Sequence, residues 1–151
     1  MPELVQDATG NDLTYRIIGA AMAVHNDIGP GYKEEVYERA LAAELHRCQI
    51  KAIRQFPVYV KDAGILVAVF YLDLWVEDWV VVEIKAVSHQ LTNDERAQVI
   101  NYLKATGAPV ALLFNFGRRR LEYKRLFPGR AQSPVQRLGR DDIRKAGRRN
   151  S

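Results

Sequence analysis

Several residues able to do chemistry lie in stretches of the chain that are otherwise apolar. Asp73 interrupts "VFYLDLWV", and Glu83 and Lys85 interrupt "VVVEIKAV". Gln98 lies on the helical pattern that follows, and Glu34 opens an earlier one. Two carboxylates with a lysine at the middle of a sheet suit phosphodiester hydrolysis. Carboxylate oxygens hold a hard cation, Mg²⁺ (or Mn²⁺), and leave several of its positions to water and phosphate. The cation activates the attacking water and offsets charge that builds on the phosphate. A lysine aimed at the same atoms positions that water or stabilises the transition state. Glu83 and Lys85 alone also fit an ordinary ion pair on a strand surface, so the octamer by itself leaves both readings open.

These residues need a scaffold, and the chain spells one out. Leu13, Ile17, Ala21, Val24 and Ile28 recur at helical spacing after Asp12, a cap candidate, and "GPG" at Gly29–Gly31 ends that helix. A second helix, from about Lys33 to Cys48, should turn Val36, Ala40, Leu41 and Leu45 inward. Three strands follow: "AIRQFPVYVK", whose Pro57 argues for an edge or a bulge, "GILVAVFYLDLWV" and "WVVVEIKAV". Thr92 and Glu95 form a T-x-x-E capping box for a helix closed by Gly107. "VALLFNF" and "RLEYKRLF" read as two more strands. The predicted order is two helices, three strands, one helix and two strands, an α/β domain with helices covering a central sheet.

The hairpin at Glu77-Asp78 decides whether the carboxylates meet. A two-residue turn pairs Val76 with Trp79 and Asp73 with Val82, sending Glu83 to the other face. A three-residue loop or a bulge pairs Asp73 with Glu83, and this offset is the one expected.

Composition narrows the class. The chain has 151 residues, 48% of them hydrophobic and 26% charged, which suits one globular domain. No apolar run is long enough for a membrane span, and the N-terminal sequence lacks the pattern of a secretory signal. Cys48 is the single cysteine, so no internal disulfide or thiolate zinc cluster can form. A cytoplasmic location without membrane contact is the expectation. Charge is uneven: residues 128–151 hold seven Lys/Arg against two Asp, whereas residues 1–127 hold fifteen against sixteen acids. The reading is a domain over 1–127 and a basic, flexible tail over 128–151 that adds affinity for polyanions. A second basic stretch, "FGRRRLEYKR", offers Arg118, Arg119, Arg120 and Lys124 to nucleic acid. His25, His46 and His89 show no metal-ligand spacing and are expected at the surface or at caps.

In order, Asp73, Glu83-Ile84-Lys85 and a helix bearing Gln98 resemble the D-x(n)-E-x-K signature of the PD-(D/E)XK nuclease superfamily. "GPGYKEEVYERAL" resembles the defining motif of the prokaryotic GxxExxY protein family, with Gly31, Glu34 and Tyr37 at the named positions. "DLWVEDWVVVEIKAV", "QVINYLKATG" and "NFG" are similar to later blocks of that family. The resemblance implies a restriction-endonuclease-like α-β-β-β-α-β core. It implies Asp73 and Glu83 as metal ligands, with the Ile84 carbonyl and the helix residue Glu34 joining them, and Lys85 as the catalytic lysine. Gln98 would support the site or contact DNA, with Tyr37 and Asn101 as supporting residues. Tyr71 stands where family members often have arginine.

The expected function is a divalent-metal-dependent nuclease acting on DNA, or less readily on RNA. A homodimer could supply a second active site for cutting both strands. The competing expectation is a catalytically inactive nuclease-fold module that binds nucleic acid or a protein partner.

Overall fold

A computed structural model describes residues 11–129. The expected tail, apart from its first two residues, lies outside the described residues. The element order is the predicted one: α1 (Asn11–Ile28), α2 (Glu34–Arg47), β1 (Ala52–Asp62), β2 (Ile65–Val76), β3 (Val80–Lys85), α3 (Asn93–Thr106), β4 (Val110–Asn115) and β5 (Glu122–Leu126).

The five strands form one sheet in the order β1-β2-β3-β4-β5. Tight connections make β1-β2, β2-β3 and β4-β5 antiparallel, whereas α3 carries the chain across from β3 to a parallel β4. Strands β3 and β4 lie in the interior of the sheet, and their side chains are buried along nearly their whole length. That is why both read as continuous apolar runs rather than alternating ones. Pro57 sits on β1, an edge strand, where its missing N–H is least disruptive.

Two cores sandwich the sheet. On one face, Leu13, Ile17, Ala21 and Val24 of α1 and Tyr37, Leu41 and Leu45 of α2 pack on Leu74, Val82, Ile84, Leu112 and Phe114. On the other, Val99, Tyr102 and Leu103 of α3 pack on Trp75, Val81, Ala111 and Leu113. Alternation along β3 therefore turns Val81, and with it Glu83 and Lys85, toward α3.

The ends of the helices follow the expected chemistry. Gly29 and Gly31 stop α1 with φ of +68° and +110°, a region that other residues enter at a cost. The Glu95 carboxylate accepts the Thr92 backbone amide at 2.9 Å at the start of α3, and Gly107 closes the helix with φ of +72°. One inward assignment is corrected. Val36 is 40% exposed, and α2 instead buries Tyr37 and Glu38. The helix starts at Glu34 and meets the sheet over the stripe 37/38/41/45, one position round from the expected face.

Candidate active site

Whether the carboxylates meet depends on the β2–β3 turn. Glu77 and Asp78 both adopt left-handed φ, +52° and +54°, and the chain re-enters the ladder at Val80. The pairs are Val76 with Val80, Trp75 with Val81 and Leu74 with Val82, the three-residue offset. Lys51 anchors the turn from β1's approach, its carbonyl accepting the Glu77 amide at 2.9 Å and its amide donating to the Glu77 carboxylate at 2.7 Å.

One step further, Asp73 stands opposite Glu83, and there backbone pairing gives way to side chains. The Asp73 amide donates to Glu83 Oε1 at 3.1 Å, and the Ile84 amide donates to Asp73 Oδ2 at 2.7 Å. Each carboxylate thus occupies the gap that the strands leave as they part. In an extended strand the N–H and C=O of one residue leave on the same side. The Ile84 carbonyl therefore leaves β3 on the side of Asp73.

Electrostatics follow from that crowding. Burial holds the Glu83 carboxyl well above its usual range, at about 9, and the neighbouring Asp73 charge pushes the same way; Lys85 and the Asp73 amide pull it down in part. Asp73 is raised to about 6, first by burial and then by Glu38 and Glu34, against the Ile84 hydrogen bond. The Tyr102 hydroxyl is raised by burial and by the charges of Glu83 and Asp73, so the three groups share one electrostatic environment. A site that strains to hold two charges this close favours a counter-cation.

A divalent cation fits this donor set on chemistry. The donors are all hard oxygens, and each carboxylate commits one oxygen to a backbone amide and orients the other by doing so. Among the described residues, no group of three or more His, Cys, Asp or Glu side chains is arranged as a cage. Two carboxylates with a backbone carbonyl and water match a cation that keeps much of its hydration.

The remaining sequence candidates separate. Glu34 is exposed at the start of α2, near enough to act on Asp73 through its charge. Gln98 and Asn101 are exposed on α3, whereas Tyr102 on the same helix is buried and feels the charge of both carboxylates. Tyr37 is fully buried and serves structure. Its hydroxyl donates to the Gly29 carbonyl at 2.6 Å and accepts the Tyr32 amide at 3.2 Å, while its ring stacks on Phe116 with centroids 4.7 Å apart. Tyr71 is 56% exposed on β2. Arg118, Arg119 and Arg120 are exposed just past the end of β4, and Lys124 is half-buried on β5. Because Lys85 pairs with Asn115, that arginine turn starts at the sheet end where Lys85 lies. His25 departs from expectation: it is buried, and its Nε2 lies 2.8 Å from the Arg118 carbonyl, which ties α1 to the arginine turn.

Sequence reasoning missed three further polar residues. Glu38 is buried on α2, where its carboxyl comes within hydrogen-bonding reach of Asp73. Its spacing of four from Glu34 was the available signal, since such residues share a helix face. Asn115 is fully buried; its Oδ1 accepts the amides of Val87 and Gly117, each at 3.0 Å, and its Nδ2 donates to the His89 carbonyl at 3.0 Å. Glu122 accepts the Leu91 amide at 3.1 Å. Together Asn115 and Glu122 clamp the segment that leaves the Lys85 strand. Gly117 is required there, because a Cβ would stand 2.4 Å from the Val87 nitrogen.

The family model described as the PD-(D/E)XK nuclease superfamily matches residues 11–126. No curated protein and no solved structure matches the chain.

Proposed function

The chain belongs to the PD-(D/E)XK nuclease superfamily, and we propose that it is a divalent-metal-dependent nuclease that hydrolyses phosphodiester bonds in DNA. The observation that carries this reading is the pair of hydrogen bonds, Asp73 amide to Glu83 and Ile84 amide to Asp73, that brings the two carboxylates together where β2 and β3 part, with Lys85 next on the same strand face. Within the superfamily, the spacing of Gly31, Glu34 and Tyr37 supports the narrower GxxExxY assignment.

Asp73, Glu83 and the Ile84 carbonyl would hold Mg²⁺ or Mn²⁺. When bound, such a cation lowers the pKa of water and offsets phosphate charge. Lys85, whose charge acts on Glu83, would stabilise charge at the attacked phosphate. Tyr102, buried on α3 and within the field of both carboxylates, would cover the α3 side of the site. Gln98, exposed one turn before Tyr102, would touch the nucleic acid, and the exposed Arg118–Arg120 would add a positive rim beyond Lys85.

The test is direct. Purified protein with Mg²⁺ or Mn²⁺ should cut DNA, and Asp73→Ala, Glu83→Ala and Lys85→Ala should each reduce cutting by about 10²-fold or more. Cleavage undiminished by these changes sinks the assignment, and binding without cleavage returns the inactive module. RNA offered in parallel decides the substrate. The homodimer finds support in the outer β1–β2 hairpin, where Ile65, Leu66 and Val67 are 67%, 49% and 58% exposed. Light scattering that reports a monomer removes it.

A further inference from the structure

The β1 strand is irregular at one position only a side chain away from the site. Gln55 adopts φ of +53°, a left-handed conformation that a non-glycine residue enters at a cost, and no glycine lies next to it. The β1–β2 ladder pairs Arg54 with Leu74 and Phe56 with Leu72, and it skips Gln55, the residue opposite Asp73. The irregularity is put to use. Gln55 Nε2 donates to Glu38 Oε1 at 2.5 Å, while Arg54 Nε and Nη2 donate to Glu38 Oε2 at 3.0 and 2.7 Å.

Glu38 is therefore held through both oxygens by β1. Its side chain is 6% exposed, whereas that of Arg54 is 34% exposed. A planar guanidinium that presents its Nε–Nη2 edge to one carboxylate turns its Nη1 corner away from it. Glu38 in turn reaches Asp73. The result is an oriented, partly accessible arginine one carboxylate removed from the proposed metal ligand, amid acids that would otherwise repel a phosphate.

We propose that Arg54 is a substrate-positioning residue, fixed by Glu38 and Gln55 to take a backbone phosphate of DNA entering the Asp73/Glu83 site. The proposal rests on the nuclease reading for where the substrate lies. The strained Gln55 conformation then has a purpose: it brings both donors of β1 onto one buried carboxylate. Arginine suits the task better than lysine, because its fork can hold Glu38 and a phosphate oxygen at the same time.

The experiment is equilibrium binding of short fluorescein-labelled DNA in Ca²⁺ over a salt series. Arg54→Gln should bind about tenfold more weakly, and its slope of log affinity against log salt should shrink by about 0.9 for duplex DNA, one phosphate contact. Arg54→Lys should keep the slope. Mn²⁺ affinity by calorimetry should stay within about twofold of wild type, which a collapsed site could not manage. If Arg54→Gln unfolds, as circular dichroism would report, Glu38→Gln with Arg54→Gln removes the whole pair and should lose the same slope. A folded variant with the wild-type slope overturns the proposal, and so does wild-type protein that binds no DNA. Mg²⁺ cleavage by the wild type is scored separately. Binding that depends on Arg54 without any cleavage leaves Arg54 in place and removes the nuclease reading.

Discussion

Asp73 and Glu83 stand one step past the last β2–β3 pair, and the backbone amide of Asp73 is held by the side chain of Glu83. The Ile84 amide returns the favour to Asp73 Oδ2. This arrangement satisfies backbone donors that the parting strands would orphan, and it fixes both carboxylates through backbone amides. Ladder ending and site assembly are thus one event.

It makes stability depend on pH in an unusual direction. Glu83 is raised from 4.5 to about 9 and Asp73 from 3.8 to about 6, so between these limits the folded chain binds more protons than the unfolded one. Stability contributed by these groups is present below about pH 4 and lost as pH rises through 6 and then 9. In EDTA the melting temperature should fall from pH 5 to 9, and Glu83→Gln should flatten most of that fall. Mn²⁺ competes with the same protons, so its stabilising effect should grow with pH. A melting temperature independent of pH in EDTA would contradict the assigned environment of the pair.

Lys85 and the carboxylates should separate in kinetics. Lys85→Met removes an aimed positive charge and should lower kcat by about 10²–10³. It should leave Mn²⁺ binding in place, because lysine is not a ligand. Asp73→Asn and Glu83→Gln should lower kcat at least as far and weaken Mn²⁺ binding as well. Calorimetry with single-turnover cleavage distinguishes the two patterns; a Lys85 variant that loses the metal would reassign the lysine.

Much of this was legible in the sequence, and what was not has physical causes. Turn chemistry and strand composition gave all eight elements in order, and the three-residue offset at Glu77-Asp78 followed from asking which register lets Asp73 meet Glu83. Glu38 was hidden because "EEVYERAL" presents several charges at helical spacing, and nothing local says which one a sheet will cover. Tyr102 is buried because of how α3 sits across the sheet, which helical spacing alone does not fix. No glycine or asparagine announces the left-handed backbone at Gln55, and its partner Glu38 lies 17 residues away in the chain. Nothing local announces Asn115, because its four-way clamp joins segments far apart in the chain.

That clamp should matter for stability before it matters for chemistry. Asn115→Leu fits the space roughly but leaves the Val87 and Gly117 amides without their acceptor. Each unsatisfied buried donor costs about 1–3 kcal/mol, so the two together should cost at least about 2 kcal/mol. Gly117→Ala should cost a similar amount, because its Cβ meets backbone at Ala86 and Val87 rather than a side chain that can swing away. Urea unfolding should show a lower midpoint with an unchanged slope in both variants. A neutral Gly117→Ala would mean that the 86–87 segment moves freely, and the clamp would not be what orders the exit from the Lys85 strand.

The arginine turn offers the last prediction, because its three members are not equivalent. The Arg118 guanidinium lies 3.7 Å from Glu122, and the Arg118 carbonyl meets His25, so this residue is partly engaged in holding the turn. Arg119 and Arg120 are exposed on the same turn. Replacing both by alanine should shrink the salt dependence of duplex binding by about 1.8 in slope, two phosphate contacts at about 0.9 each. Arg118→Ala should change that slope less and stability more, since it loosens Glu122, whose carboxylate also holds the Leu91 amide. Titrations over a range of NaCl, with a urea melt of each variant, measure both quantities. Equal slopes for all three single substitutions would show that the Glu122 pairing is too weak to hold Arg118 back from DNA.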